Sequence, residues 1–274
     1  MRSGHWKRAF LGPVEASLPI YIYSMPKAGT YFFSTLLEKL GLEDTGIHLG
    51  RDTYLDTKAH SLAVNIATPS KAAVKRFFVP VVRELAPRAV LVGHFPLPIN
   101  FNVLGPKGCY ICAYRDPRKT LVSEFIDFRY RRQDVPWLAP EVLTDDRAAF
   151  TVFMKRHGVV GHLNIFTEFV LLRSMVVSPL GPPILQKKTY FVNFDQVRDK
   201  PETAAGIAQF LGIELADNEV MAAVHAALGA ETKTRATELS LDRDALWSDE
   251  AEALYAASTF PAIKAMAESL GLEF

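Results

Sequence analysis

Residues 23–31 read Tyr-Ser-Met-Pro-Lys-Ala-Gly-Thr-Tyr and decide the fold. An apolar run from Leu18 to Tyr23 precedes the turn and a helical pattern begins at Tyr31, so a strand is predicted to pass through a Pro/Gly turn into a helix. Helix N-termini attract anions through free backbone amides and the helix dipole. Lys27 adds a full positive charge, and Gly29 lets the backbone approach a ligand closely. The stretch therefore predicts a site for a phosphate-like anion.

The register of this turn differs from that of the loop that binds nucleoside triphosphates. That loop reads Gly-x-x-x-x-Gly-Lys-Ser/Thr, with the lysine after the second glycine. Here Lys27 precedes Gly29, which is the only glycine of the turn. This register disfavours a nucleoside triphosphate as the ligand of the turn.

The composition is that of an ordinary soluble globular protein. The chain has 274 residues, 49% apolar and 22% charged, with a net charge of +1, so nothing global attracts nucleic acid or an anionic membrane. The N-terminus lacks the apolar core of a signal peptide. The stretch from Leu163 to Leu180 carries Glu168 and Arg173, which favours a core helix over a membrane span. We therefore expect a cytoplasmic protein with one domain over residues 1–274.

Near-continuous apolar runs predict four buried strands, at residues 18–24, 89–93, 109–114 and 189–194. Helical patterns alternate with them at 31–40 and 202–211, and helical material is expected over 134–188. This alternation predicts an α/β fold with a central parallel sheet flanked by helices. Cys109 and Cys112 lie three residues apart in one strand and should face opposite sides of the sheet, which favours core packing over redox or zinc chemistry.

Polar residues follow three of the predicted strands at the point where each ends. Lys27 follows the first strand, His94 the second and Arg115 the third. Ligands of open parallel sheets bind beyond the carboxyl ends of the strands, so these side chains are expected in one crevice. Asp116 suits a helix N-cap, and Ser123 follows two turns into that helix, where it could grip a second phosphate with Arg115. The alternative is an Arg115 that is solvated or paired with Asp116.

Together these motifs closely resemble those of the sulfotransferases that use 3′-phosphoadenosine-5′-phosphosulfate (PAPS). The loop Pro26-Lys27-Ala28-Gly29-Thr30 resembles the first signature of that family, and residues 115–123 resemble the second with the same eight-residue spacing. Residues 93–98, Gly-His-Phe-Pro-Leu-Pro, look like the strand-end histidine motif, and residues 193–213 resemble the late strand–helix block. The resemblance runs from about residue 18 to residue 215 and implies a P-loop-NTPase-like sulfotransferase fold.

The resemblance implies an enzyme that moves a sulfuryl group from PAPS to a hydroxyl, or less favourably an amine, of a small-molecule or carbohydrate acceptor. The product would be 3′,5′-bisphosphoadenosine (PAP), with no metal required. Lys27 would stabilise the leaving group, and His94 would be the general base. The backbone amides of Ala28 to Tyr31, with the Thr30 hydroxyl, would hold the 5′ end of the donor. A homodimer is compatible with the resemblance.

The 3′-phosphate would be held by Arg115 and Ser123, and Ser123 would also restrain Lys27 until an acceptor arrives. Phe194 stands where many cytosolic family members carry a tyrosine, so a ring contact with the nucleotide is expected without a hydroxyl bond. The Arg-Lys-Gly element that closes over the 3′-phosphate in the family is absent from the sequence. Arg235 is the predicted substitute.

The remaining polar residues receive structural roles or stay as alternatives. Four histidines are predicted to be structural or exposed: His48, His60, His157 and His162. For His48 and His60 the alternative is a wall of the acceptor pocket, because their segment could form one. Glu124 and Asp127 are expected on a solvated helix face, with a second base as the alternative for either, and the basic run 129–132 is expected to be solvated. Two other function classes stay open, an ATP- and magnesium-dependent phosphotransferase and a non-catalytic nucleotide-binding module. The acceptor stays undefined.

Overall fold

A seven-stranded sheet organises the part of the chain that the computed structural model describes, which is residues 19–49, 54–68, 73–74, 85–94, 108–230 and 241–274. The strands are β1 (Ile20–Ser24), β2 (Glu43–Leu49), β3 (Tyr54–Asp56), β4 (Ala73–Val74), β5 (Ala89–Gly93), β6 (Cys109–Tyr114) and β7 (Thr189–Asn193). Their order across the sheet is β4-β3-β2-β5-β1-β6-β7. The first predicted strand is therefore at the centre of the sheet.

The predicted parallel sheet is confirmed, with an antiparallel edge that the sequence does not reveal. Ile22 of β1 lies opposite Val92 of β5 and Ile111 of β6, and β2–β5 and β6–β7 are also parallel pairs. Strands β3 and β4 pair antiparallel beyond β2. The strand predicted at 189–194 ends at Asn193, because the side chain of Asn193 accepts hydrogen bonds from the first amides of the next helix and caps it.

Helices surround this sheet. They are α1 (Thr30–Lys39), α2 (Leu62–Ala67), α3 (Pro117–Tyr130), α4 (Asp146–Phe153), α5 (Val159–Val177), α6 (Pro183–Lys188), α7 (Phe194–Asp199), α8 (Ala205–Phe210), α9 (Asp217–Gly229), α10 (Asp249–Ala257) and α11 (Phe260–Ser269). A π-helical turn, Met154–Gly158, joins α4 to α5, and the helix predicted at 202–211 begins as the 3₁₀ turn Pro201–Ala204. Across the described residues no single helix is long and apolar enough to cross a membrane; Asp146–His157 and His162–Val177 reach that length only together, across a 62° bend.

Apolar side chains form one core layer on each face of the sheet. Along β1, Tyr21 and Tyr23 belong to one layer, and Ile20 and Ile22 belong to the other. Cys112 packs in the first layer and Cys109 in the second, as their spacing predicts. Burial raises the pKa of Cys109 to about 12 and the pKa of Cys112 well above its ordinary value. Both thiols are therefore protonated packing residues.

Candidate active site

A cavity of about 610 Å³ lies where β1, β5 and β6 end at their carboxyl termini. It is lined by eight residues that the sequence predicts for the site: Lys27, Gly29, Thr30, Tyr31, His94, Arg115, Ser123 and Phe194. These residues come from four separate parts of the chain, and the fold brings them together as the parallel topology requires. Arg235 lies outside the described residues.

The turn between β1 and α1 has an unusual backbone. Lys27 has φ 62° and Gly29 has φ 82°, and a left-handed conformation at a residue with a Cβ costs about 1–3 kcal/mol. The amide of Ala28 donates to the carbonyl of Met25 at 3.1 Å, and Ala28 is fully buried. The Ala28 amide therefore closes the turn, and Ala28 is not among the residues that line the cavity. No side chain caps α1, so its N-terminal amides are not covered by a capping group.

Packing against Phe194 leaves no room for a side chain at Gly29. A Cβ at this position would lie 2.2 Å from Cδ2 of Phe194. The Phe194 ring packs edge-on against Phe32, with ring centroids 5.4 Å apart, and the guanidinium carbon of Arg115 lies 5.3 Å from its centroid. Phe194 thus forms a wall of the cavity between the β1–α1 turn and Arg115.

His94 is held in one orientation by the end of the central strand. Its Nδ1 lies 2.7 Å from the backbone oxygen of Ser24. Because a carbonyl only accepts, Nδ1 carries the hydrogen, and Nε2 of the neutral ring keeps a free lone pair. Burial lowers the pKa of His94 to about 4, so the ring is neutral at pH 7. The Ser24 hydroxyl also contacts Thr30 at 2.6 Å, which connects the histidine to the start of α1. The geometry therefore leaves Nε2 as the ring nitrogen that can accept a proton.

Lys27 forms an ion pair inside the cavity. Its Nζ lies 2.8 Å from Oδ2 of Asp127, and Oδ1 of Asp127 accepts from Nη1 of Arg131 at 3.3 Å. Burial lowers the pKa of Lys27, and the charge of Asp127 opposes that effect. The amine is therefore restrained by Asp127, one turn beyond Ser123 on α3, rather than by Ser123 as the resemblance implies. Asp127 is 15% exposed, so the expectation of a solvated carboxylate is wrong.

Glu124 is also buried, at 8% exposure, so the expectation of a solvated helix face is wrong for this residue too. Its carboxylate forms a close hydrogen bond with Nε2 of His162 and lies 3.7 Å from Nε2 of His157. Burial alone would raise the pKa of Glu124, but the two histidines outweigh it and lower the pKa well below its usual range. A carboxylate with a depressed pKa is a weak base, which disfavours Glu124 as the second base. His48, His157 and His162 all line the cavity.

Arg115 is oriented by a carboxylate that is distant in sequence. Its Nε donates to both oxygens of Asp195, at 3.1 and 3.2 Å, whereas Asp116 caps α3. The alternative of an Arg115–Asp116 pair is therefore wrong. Asp195 also contacts Lys119 at 3.1 Å and Arg198 at 2.9 Å. Within the described part of the chain the two Nη groups of Arg115 make no hydrogen bond, which leaves a planar fork for an anion at the cavity wall.

Sequence reasoning misses two further cations of the cavity wall, Arg198 and Arg243. The position of Arg198, one turn after Phe194 on a short helix, is the only signal that could have found it. The expectation that the basic run 129–132 is solvated is wrong at Arg129. This residue is 3% exposed and pairs with Asp146 at 2.6 Å. Among the described residues, no group of three or more His, Cys, Asp or Glu side chains is arranged to hold a metal ion.

Comparison with known proteins identifies the fold. No family model matches the sequence, and no curated protein matches it. Among solved structures, the chain is similar to a mouse sulfotransferase, SULT7A1, complexed with PAP, at 15% identity and a TM-score of 0.54 over 94% of this chain and 90% of that one. It is also similar to retinol dehydratase complexed with androsterone and inactive cofactor PAP, at 12% identity, and with retinol and PAP, at 13% identity.

The two retinol dehydratase structures align over 96% of this chain and 84% of theirs, with TM-scores of 0.55 and 0.56. These likenesses cover nearly the whole chain and share one architecture, although few residues are identical. The chain therefore has the fold of the PAPS-dependent sulfotransferases, as its motifs predict.

Proposed function

We propose that this chain is a sulfotransferase that moves a sulfuryl group from PAPS to a hydroxyl of a small-molecule or carbohydrate acceptor. The observation that carries the proposal is the convergence of Lys27, His94 and Arg115 in one cavity at the carboxyl ends of the strands. The fold adds support, because the similar sulfotransferase and retinol dehydratase structures contain PAP.

The residues of the cavity fit a donor with two separate phosphate groups. Lys27 and the uncapped N-terminus of α1 would bind its 5′ end, where backbone amides and the helix dipole favour negative charge. The free fork of Arg115, with the hydroxyl of Ser123, would bind the 3′-phosphate. Phe194 would contact the nucleotide ring. Bound PAPS supplies an activated sulfuryl group on a phosphate leaving group.

The proposed transfer requires one base and one cation. Nε2 of His94 accepts the proton of the acceptor hydroxyl as that oxygen forms a bond to sulfur. The bond between sulfur and the bridging oxygen breaks, its electron pair stays on the leaving phosphate, and Lys27 compensates the charge that develops there. The protein thus acts mainly by positioning and electrostatic stabilisation, as in phosphoryl transfer.

The acceptor side of the cavity combines apolar and polar walls. Leu55, Phe128 and Ile165 line it together with His48 and His157. The retinol dehydratase structures contain retinol and androsterone, and we propose that the apolar side of this cavity binds a small molecule of similar size. The neutral ring of His94 suits a hydroxyl, because it can take the proton that the attacking oxygen loses.

Ligand-dependent thermal stability tests the donor. The protein would be heated with PAP, with ADP, and with ATP plus magnesium. A ligand at one hundred times its dissociation constant stabilises the folded state by about 2.7 kcal/mol, which is easily measured. We expect stabilisation by PAP without magnesium. Stabilisation only by ATP with magnesium would instead support a phosphotransferase and contradict the proposal.

Turnover tests the reaction itself. The protein would be incubated with PAPS labelled in the sulfuryl group and with a panel of phenols, alcohols, amines and sugars. We expect label in at least one hydroxyl acceptor, and the loss of that transfer in Lys27→Met. PAP binding without transfer to any acceptor of a broad panel would favour the non-catalytic nucleotide-binding module.

A further inference from the structure

The carboxylate of Asp127 forms an ion pair with the amine of Lys27, which is the group that the proposed donor would bind. Lys27 Nζ and Asp127 Oδ2 are 2.8 Å apart, and the two side chains are only 11% and 15% exposed. The other oxygen of Asp127 accepts from Arg131, the residue directly after α3, at 3.3 Å. Both oxygens of the carboxylate are therefore used, and its position is fixed by α3 rather than by solvent.

The other charges around Lys27 do not replace this carboxylate. Glu124 on α3 attracts the amine of Lys27 only through its charge, and its carboxylate is already bound by His162. Arg131, directly after α3, repels the amine. His94, at the end of β5, is held neutral by burial and contributes no full charge at pH 7. Asp127 is thus the one direct anionic partner of Lys27 among the described residues.

We propose that Asp127 is a positioning residue for Lys27: it holds the buried amine in the cavity as an ammonium ion until the anionic end of the donor takes its place. The second half of this statement rests on the proposed function. The first half concerns only the free protein. Asp127 and the donor then compete for the same cation, and Arg131 remains to neutralise Asp127 once Lys27 has moved to the donor.

Removing the carboxylate has two opposite effects on an anionic ligand. At low pH, Lys27 keeps its charge in either case, so loss of a competing anion should strengthen binding. At high pH, burial is no longer opposed and Lys27 loses its proton earlier, so binding should weaken. A merely structural role for Asp127 would shift affinity in one direction at every pH.

The protonation of Lys27 can be measured in the free protein. The reactivity of Lys27 towards acetic anhydride would be followed against pH by peptide mass spectrometry in the wild type, Asp127→Asn and Asp127→Ser. We expect the midpoint of reactivity to fall by about one to three pH units in both variants. In Asp127→Glu, which keeps a carboxylate, the midpoint should stay close to that of the wild type. Glu250→Gln, which removes an exposed carboxylate paired with Lys155, is the matched control and should leave the midpoint unchanged. An unchanged midpoint in folded Asp127→Asn would overturn the proposal.

Calorimetric titration with PAP tests the competition. We expect Asp127→Asn to bind PAP more tightly than the wild type at pH 6.5 and more weakly at pH 9. Between the two pH values, the ratio of the variant's dissociation constant to that of the wild type should change by about tenfold for each unit by which the Lys27 midpoint falls. In a Lys27→Met background, the same substitution should not alter the pH dependence. Equal effects in both backgrounds would contradict the role. If PAP binds no variant while the labelling midpoint shifts, the proposed function fails and the coupling of Asp127 to Lys27 stands.

Discussion

At His94 a backbone oxygen decides which ring nitrogen can act as a base. The Ser24 carbonyl takes the Nδ1 hydrogen, so only Nε2 can receive a proton from an acceptor. Replacing His94 with Ala should lower kcat by about 10²–10⁴-fold. It should leave PAP affinity nearly unchanged, because the described contacts of the ring are with Ser24 and His48, neither of which is a predicted phosphate ligand. Steady-state turnover and calorimetry together measure both quantities. His60→Ala, which alters an exposed histidine, is the control; an unaltered kcat in His94→Ala would remove the histidine from this role.

The same histidine predicts a pH dependence of stability. Its pKa is about 4 in the folded protein and about 6.5 in the unfolded chain. Between these values the unfolded state binds the extra proton, so the free energy of unfolding should fall as the pH drops from 6.5 towards 4. Urea denaturation across this range measures the slope. His94→Gln should flatten it, and an equally steep slope in that variant would show that other groups cause the loss.

Gly29 is predicted to tolerate no side chain. In Gly29→Ala the residue must hold φ 82°, and its Cβ must displace the Phe194 ring. We expect a loss of about 1–3 kcal/mol in the free energy of unfolding, together with weaker PAP binding. Gly41→Ala is the matched control, since Gly41 also has a left-handed φ of 85° but its Cβ would lie 4.0 Å from the nearest side-chain atom, in Arg88. Equal losses of stability and of PAP binding at the two glycines would contradict this interpretation.

The sequence predicts which residues meet in the cavity better than it predicts their partners. The meeting of Lys27, His94 and Arg115 could be predicted because each follows a strand, and the parallel topology brings strand ends together. Their partners are distant in sequence: Asp127 for Lys27, and Asp195 for Arg115. Local sequence carries no signal for such pairs, which are created only when α3 and α7 pack beside the strand ends.

At the level of elements, burial decides what the sequence can predict. Strands β1, β5, β6 and β7 are covered on both faces and have continuous apolar runs, so all four could be predicted. Strand β2 reads Glu-Asp-Thr-Gly-Ile-His-Leu, is partly exposed and has a register irregularity between Asp44 and His48. Strands β3 and β4 are two or three residues long. Short, polar strands at a sheet edge give no period that distinguishes them from a loop.

Helix α10 is predicted to be attached to α3 mainly through Arg118. This side chain forms a two-point ion pair with Glu252, and its guanidinium carbon lies 3.9 Å from the Trp247 ring centroid. Arg118→Ala should lower the free energy of unfolding by about 2 kcal/mol, since ring stacking adds to the ion pair. Urea denaturation measures the loss. Lys155→Ala is the control, because it removes an exposed ion pair with Glu250 of α10, and it should cost about 0.5 kcal/mol. Equal losses in the two variants would show that stacking on Trp247 adds nothing.

At the scale of the whole molecule, overall charge conceals the character of the site. The net charge is +1, yet six arginine and lysine side chains line the cavity against two carboxylates, and one of the carboxylates is bound by histidines. The cavity wall therefore attracts anions although the molecule as a whole does not. PAP affinity should accordingly weaken as sodium chloride is raised. Calorimetry at two salt concentrations checks this, and an affinity independent of salt would argue against an electrostatic site.

In our proposal this cavity binds a nucleotide with a 3′-phosphate as well as a 5′ anion. The most direct measurement is a calorimetric titration of the protein with PAP and with adenosine 5′-monophosphate, which differs only in lacking the 3′-phosphate. We predict one site per chain, with PAP bound about 10- to 100-fold more tightly because of charge-assisted hydrogen bonds to Arg115, and a much smaller preference in Arg115→Gln. Equal affinities for the two nucleotides, or no binding of PAP, would show that the cavity is not a site for a 3′-phosphorylated nucleotide.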